Sequence, residues 1–248
     1  MTITLSDSPT ILALDTSTAA CSVALRHQGE TYALHEMTPQ QHAQRILPMI
    51  DTLLAQAGIT GKQVDVIAFG EGPGAFTGVR IAAGVTQGLA LGWDCRFVAL
   101  SSLASMAYQD VFYTAHQAPL YWCAMMDARM NEVYWQEGYY DPLTQTWRAE
   151  NAQLLKPEQV VLAWQTLQAQ AKASGVRLQA YGDVSQSFPD LAALCPHYHE
   201  VQPNAMAMLN LAQRDSHAWQ SLNDGLAVPR YLRNQVAETL KQRQAKAV

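Results

Sequence analysis

The residues best suited to chemistry are two aspartates at strand ends and the glycine run between them. Asp15 closes "ILALD" and is followed by Thr16, Ser17 and Thr18; Asp127 closes "YWCAMMD" and is followed by "ARMN". An acid beside a tight turn can position a hydrated divalent cation while the turn's N–H groups approach a phosphate. The segment "FGEGPGAFTGVRIAAGVTQGLALG" passes from a strand end through Gly70, Gly72 and Gly74 into a long helix, the layout of a phosphate cradle. Other features pull the opposite way. No Lys follows in a GK[ST] arrangement, and the nearby cation is Arg80, which can serve a phosphate, a partner carboxylate or an internal acid. Thr16, Ser17 and Thr18 put side chains where glycine would leave room, and the same acid and hydroxyls can close a hairpin by local hydrogen bonds. Glycines at a strand-to-helix turn supply positive φ whether or not anything binds. Asp15, Thr16, Ser17, Gly72, Gly74 and Asp127 therefore read as vestigial phosphate loops.

Other chemistries find less support. Cys21, Cys95, Cys123 and Cys195 lie far apart with no CxxC pair, as buried thiols do. The histidines form no HExxH or HxxxH, and His197 and His199 are expected on an exposed loop after Pro196. There is no GxSxG elbow. No catalytic residue and no metal ligand is assigned, and no cofactor is expected, although a nucleotide at an interface shared with a partner stays open. A net charge of −5 is a poor match for a polyanion, which argues against autonomous tight binding of nucleic acid. The charge is uneven: five basic residues against Glu238 give the stretch from Arg230 onward a local +4. That tail can contact RNA or an acidic partner, or form a solvated helix. With no export signal and no membrane-length apolar run, the expected location is the cytoplasm.

The elements that must position these residues follow from periodicity. At 248 residues, 49% hydrophobic and 15% charged, the chain can bury a full core and exceeds one average domain. "ILALD" and "CSVALR" read as a hairpin, and a helix follows with Thr38 as N-cap, Pro39 at its first position, an apolar stripe, a kink at Pro48 and an end at Gly58. "VDVIAFG" is a strand, the glycine segment a helix, "CRFVALSS" a strand and "SSLASMAYQDVF" a helix, giving the order ββαβαβα. The second half repeats the grammar: "YWCAMMD" and "EVYWQEGYY" form a hairpin, a helix follows Pro157, "VRLQAYGD" echoes "VDVIAFGE", and a last helix starts at Pro203. Asp127 thus mirrors Asp15, and the chain reads as a duplication. The expected domains are residues 9–110 and 118–237, joined by a linker at His116, Gln117 and Pro119, with a basic tail at 238–248.

Two acid-ended hairpins, each followed by helix, strand and glycine-bearing loop, resemble the duplicated α/β architecture of actin-like ATPases (ribonuclease H-like units), with the second copy reduced. The strings "ILALDTSTAACSVAL", "HAQRILPMID", "GEGPGAFTGVRIAAGVTQGLALG", "MDARMNEVYW" and "PRYLRNQVA" together resemble the TsaB (YeaZ) family of bacterial tRNA threonylcarbamoyladenosine synthesis. The resemblance implies a non-catalytic subunit that pairs with the paralogue TsaD, lets the ATPase TsaE dock, meets tRNA only through the complex, and self-associates when alone. The helical HxxxH pair of TsaD falls here on Ser102 and Met106, neither a credible ligand for a divalent metal. Gly84, Gly88 and Gly92 recur at i, i+4 and i+8 and leave a groove that either faces the protein's own sheet or takes a partner backbone. The resemblance favours the partner, with His42, Arg45 and Met49 of the preceding helix as the second wall; for Met49 a place in the core stays open. The alternative is an autonomous actin-like ATPase or small-molecule phosphotransferase using Asp15, Asp127 and the glycine loops; a peptidase is least favoured.

Overall fold

The computed structural model describes residues 9–114 and 116–233. The first lobe is a five-stranded sheet in the order β3-β2-β1-β4-β5, built from β1 (Ile11–Asp15), β2 (Ala20–His27), β3 (Glu30–Met37), β4 (Val66–Gly72) and β5 (Arg96–Ser101). The second is a six-stranded sheet in the order β11-β10-β6-β7-β8, from β6 (Leu120–Asp127), β7 (Val133–Asp141), β8 (Thr146–Ala149), β10 (Arg177–Gly182) and β11 (Tyr198–Glu200), with β9 (Gln153–Leu155) paired to β7. Helices α1 (His42–Ala57), α2 (Phe76–Trp93) and α3 (Ser102–Tyr113) belong to the first half, and α4 (Pro157–Ser174), α5 (Pro189–Leu194) and α6 (Ala205–Arg214) to the second.

The two halves share one plan. Each opens with an antiparallel hairpin, β1 with β2 and β6 with β7, whose first strand then pairs in parallel with the next one along, β4 or β10. A further parallel strand, β5 or β11, completes each set. Parallel pairing demands crossover helices, which cover the sheet on both faces and leave its central strands wholly apolar. All five residues of β1 are buried. Leu12, Leu14, Cys21 and Phe69 face α1 and α2, whereas Ile11, Ala13, Val66 and Val98 face α6. This is the duplicated actin-like architecture.

Three local expectations are corrected. Helix α1 begins at His42, not at Thr38 and Pro39: Gln41 occupies the cap position, Gln40 is left-handed at φ 66°, and Thr38 N–H donates to the Ala19 carbonyl at 3.0 Å. The edge strand β3 was not anticipated, although Gln28 and Gly29, at φ 50° and 87°, form the left-handed two-residue turn that a tight hairpin needs. In the expected linker Gln117 is exposed, but His116 is tied down. The His116 side chain is 2% exposed and hydrogen-bonds Asp110 at 3.0 Å through Nε2.

The second half also fails to stay with its own sheet. Ala205, Ala207, Met208, Leu209 and Leu211 of α6 pack with Ile11, Ala13, Ala24 and Val66, so the last helix completes the core of the first lobe. Helix α3 lies between the lobes, with Tyr108 in that cluster and Leu103, Met106 and Ala107 packed against Trp122, Ala124 and Met126 of β6. A fragment of residues 9–114 lacks the cover for one face of its sheet and is expected not to give a cooperative thermal transition by circular dichroism. In the full chain, Met208→Ala removes a fully buried side chain and should lower unfolding stability by about 2–5 kcal/mol, measured by urea titration.

Candidate functional site

The Asp15 turn, the glycine loop and the start of α3 meet at one point. Asp15 is 1% exposed. Its Oδ1 accepts from Ser17 N–H at 2.7 Å and Ser17 Oγ at 2.6 Å, and its Oδ2 accepts from Ser102 Oγ at 2.7 Å. Burial pushes the Asp15 carboxyl above the usual carboxylate range, while the bonds from Ser17 and Ser102 pull back. An acid so enclosed and already satisfied has little to offer a hydrated cation.

The glycines are equally engaged. A Cβ at Gly70 would lie 1.9 Å from Asp15 Oδ2; at Gly74, 2.4 Å from the Ser17 carbonyl oxygen; at Gly78, 1.9 Å from the Thr16 carbonyl oxygen. Gly72, at φ 99°, serves the turn itself. The Ser17 carbonyl accepts the Ala75 N–H at 2.6 Å, and Thr16 Oγ1 donates to the Gly78 carbonyl at 2.7 Å. A helix start attracts anions through its unpaired N–H groups. Here the chain's own carbonyl stands at that start, and the room that glycine creates is filled by residues 16 and 17.

In the second half, Asp127 Oδ1 accepts from Arg129 N–H at 2.7 Å, and Oδ2 accepts from Arg129 Nη1 at 3.0 Å and Ser187 Oγ at 2.8 Å. The Asp127 N–H donates to Asp183 Oδ1 at 3.2 Å. Asp183, absent from the sequence-derived candidates, is pushed up to about 6, first by burial and further by Asp127 and Glu200. The two aspartates of the duplication occupy corresponding strand ends of separate sheets, and each is closed by its own turn. Two cavities, of about 270 and 200 Å³, lie elsewhere, one against Tyr121, Glu137, Arg148 and Glu150, the other beneath Tyr113 and His199.

The remaining candidates separate by exposure. Added Cβ atoms at Gly84, Gly88 and Gly92 would meet nothing within 4 Å, so these glycines lie on the outer face of α2 rather than against the sheet. His42 and Met49 do not join them. Met49 is 1% exposed and packs in the core of the first lobe, and His42 is 8% exposed. Arg45 is half-buried and gives a two-pronged bond to Glu36, at 2.9 and 2.8 Å. Arg80 makes no internal salt bridge among the described residues: its guanidinium lies 3.4 Å above the Phe76 ring and its Nε donates to the Tyr231 hydroxyl at 2.7 Å. Ser102 spends its hydroxyl on Asp15, and Met106 is fully buried.

Nucleophiles are not poised. Burial raises the Cys21, Cys95 and Cys195 thiols to about 12 and pushes the Cys123 thiol well above its ordinary value. The His116–Asp110 pair is not a free base, since His116 Nδ1 meets Arg177 Nη2 at 3.1 Å. His199 is not on a loop; it belongs to β11 and stacks on Tyr181 at 5.3 Å. Among the described residues no group of three His, Cys, Asp or Glu side chains is arranged to hold a metal.

Comparison with known proteins decides the family. The model of the family described as TsaD, tRNA N6-adenosine threonylcarbamoyltransferase, matches residues 34–241. The tRNA threonylcarbamoyladenosine biosynthesis protein TsaB of Haemophilus influenzae is 39% identical over 235 residues, covering 92% of this chain and 94% of that protein. Its Escherichia coli counterpart is 38% identical over 232 residues, covering 92% and 96%. The chain belongs to the TsaB (YeaZ) family. Two Pseudomonas aeruginosa structures agree: YeaZ, with a TM-score of 0.73 at 35% identity over 90% of this chain and all of that one, and a protein described as similar to peptidase YeaZ, at 0.75 and 37% over 91% and 100%. The TsaB-family relatives span nearly the same length as this chain, so family membership covers both lobes.

Two expectations follow from the site. Gly78→Ala must push its new methyl group into the Thr16 carbonyl and should destabilise the fold, whereas Gly84→Ala and Gly88→Ala meet open space and should each stabilise by about 0.5–1 kcal/mol; thermal unfolding of the three variants ranks them. A folded-state pKa raised to about 6 at Asp183 means the native state binds the proton more tightly than the unfolded chain. Its stabilising effect is then full below the unfolded carboxylate range and lost as pH rises through 6. Asp183→Asn should remove that loss, so that its stability relative to the parent rises by roughly 1–3 kcal/mol between pH 4 and pH 7, read from urea unfolding at each pH.

Proposed function

We propose that this chain is a non-catalytic scaffold of tRNA N6-threonylcarbamoyladenosine synthesis, pairing with a TsaD-type paralogue, enabling a TsaE-type ATPase to dock and meeting tRNA only through the assembly. The observation that carries this reading is the Ser17 carbonyl at the start of α2, which takes up the Ala75 N–H, a donor that a phosphate-binding turn would offer its ligand. A binding turn cannot serve both its own backbone and a nucleotide. Asp15, buried and satisfied by Ser17 and Ser102, adds to the same reading.

The outer face of α2 supports pairing. Gly84 and Gly88 each forgo about 1 kcal/mol of helix propensity relative to Ala, and nothing within the lobe occupies the space they leave. Leu91, 75% exposed, extends that face. A partner helix laid there would gain close dispersion contacts. In the absence of the paralogue the same face suits a second copy. Any nucleotide in the assembly would then lie against partner residues rather than in the closed Asp15 turn.

The rival reading is an autonomous ATPase or phosphotransferase. Homogeneous protein with magnesium and ATP separates them: the scaffold shows no turnover above buffer, and turnover abolished by Asp15→Asn would establish the rival. For pairing, Gly88→Leu should keep the parent circular dichroism and melt no lower than the parent, yet weaken binding to the TsaD-type paralogue by tenfold or more, about 1.4 kcal/mol, by calorimetry. Unchanged affinity would remove α2 from the interface.

A further inference from the structure

We propose that residues 219–233 form a clip that ties the glycine loop of the first lobe to the turn after Asp127 in the second, so that the two loops loosen together and not singly. The inference is independent of the scaffold reading. The segment starts five residues past α6 at Trp219, whose Nε1 donates to the Ala212 carbonyl at 2.8 Å, and Gln220 exchanges two backbone bonds with Phe97 at 2.8 Å each. It then runs past α2, where the Ala227 carbonyl accepts from Gln87 and Ala227 is fully buried.

The crossing itself takes four residues. Arg230 N–H donates to the Glu71 carbonyl at 2.8 Å, and its guanidinium reaches Glu71 Oε1 and Asn151 Oδ1, each at 3.4 Å. Tyr231 accepts from Arg80, and its ring lies 6.0 Å from that of Phe76 at the beginning of α2. Leu232 packs against the cluster that α3 shares with β6 of the second lobe. Arg233 then pairs with Glu132, and its Nη2 donates to the carbonyls of Ala128 at 3.1 Å and Arg129 at 3.3 Å.

What those last bonds hold is unusual. Arg129, Met130 and Asn131 are all left-handed, at φ 62°, 56° and 57°, and none is glycine. Consecutive left-handed residues with side chains are strained and persist only when their surroundings over-determine them. The Arg233 guanidinium supplies that restraint from the far end of a strap whose other contacts grip the glycine loop. Each polar contact is individually weak and partly solvated. Acting through one short stretch of backbone, they couple two loops that lie on different sheets. Arg230 and Arg233 are thereby engaged within the protein, leaving the basic character expected of the tail to residues beyond 233, which lie outside the described residues.

Amide hydrogen exchange on the full chain tests this. In Arg233→Ala, exchange should rise about threefold or more at residues 128–132 and also at 71–76, while β1 and β6 amides stay protected as a control for folding. A rise confined to 128–132, or no rise at either loop, would show a local contact and overturn the clip. Should Arg233→Ala unfold, Arg233→Lys carries the same readout, since Lys keeps a cation beside Glu132 but lacks the guanidinium fork over two carbonyls; a coordinated rise at both loops supports the clip, and a rise at 128–132 alone refutes it.

Discussion

A buried carboxylate that must be satisfied organises the first lobe. Asp15 ends a strand with no exposed residue, and an unpaired charge there would be prohibitive. Its bonds to Ser17 and Ser102 meet that demand and fix three elements at once. They fold the 15–18 turn back on itself, hold the N-terminus of α3, and bring the carboxylate so near Gly70 that no side chain fits there. The folded-back turn presents the carbonyls of Thr16 and Ser17 outward, and these determine where Gly74, Gly78 and the start of α2 must lie. The Asp15 turn thus joins strand, loop and helix.

Once α2 is set by that joint, its faces follow. Val79, Ala82, Ala83, Thr86 and Ala90 turn inward, which sends Gly84, Gly88 and Leu91 outward. Glycine on an outer face contributes nothing to the lobe's own packing and weakens the helix. The lobe closes its core with α1 instead, through Ile46, Met49, Ile50 and Leu53. For that reason the small-residue stripe and Met49 do not form two walls of one groove: Met49 is spent in the core under α1, while Gly84 and Gly88 face outward from α2.

The architecture was legible in the sequence because the signals were repeated. An acid-ended apolar strand, a returning strand and an aromatic-Gly-acid strand end occur twice, and the two sheets follow the same order of pairing. Edge elements were less legible. Strand β3 alternates exposed and half-buried residues and announces itself mainly through the Gln28-Gly29 turn. The start of α1 misled because Thr38 and Pro39 match a helix entrance while the chain still has an edge strand to leave. Around Asp15, residue type pointed to segments that do meet in space and left their role undecided. Nothing in "DTST" tells whether Ser17 turns its carbonyl toward a ligand or toward Ala75, since that depends on contacts between segments far apart in sequence. Of the two readings left open for Met49 the structure has the core, and His42 is buried with it, because residues beside an apolar stripe can turn either way.

The two halves solve one problem in different ways, and the difference explains why the last residues of the described chain return across both. In the first half the aspartate is buried and its turn is closed by serine and by a serine on α3. In the second, Asp127 is nearer solvent, with a side chain 13% exposed, and is closed by the exposed Arg129 and by Ser187. Its turn has neither glycine nor the support of an interlobe helix. Three left-handed residues in such a place need restraint from outside the hairpin, and the strap's Arg233 is positioned to give it. A reduced second copy, lacking the internal joint that rigidifies the first, thus borrows its order from a segment anchored on the first lobe.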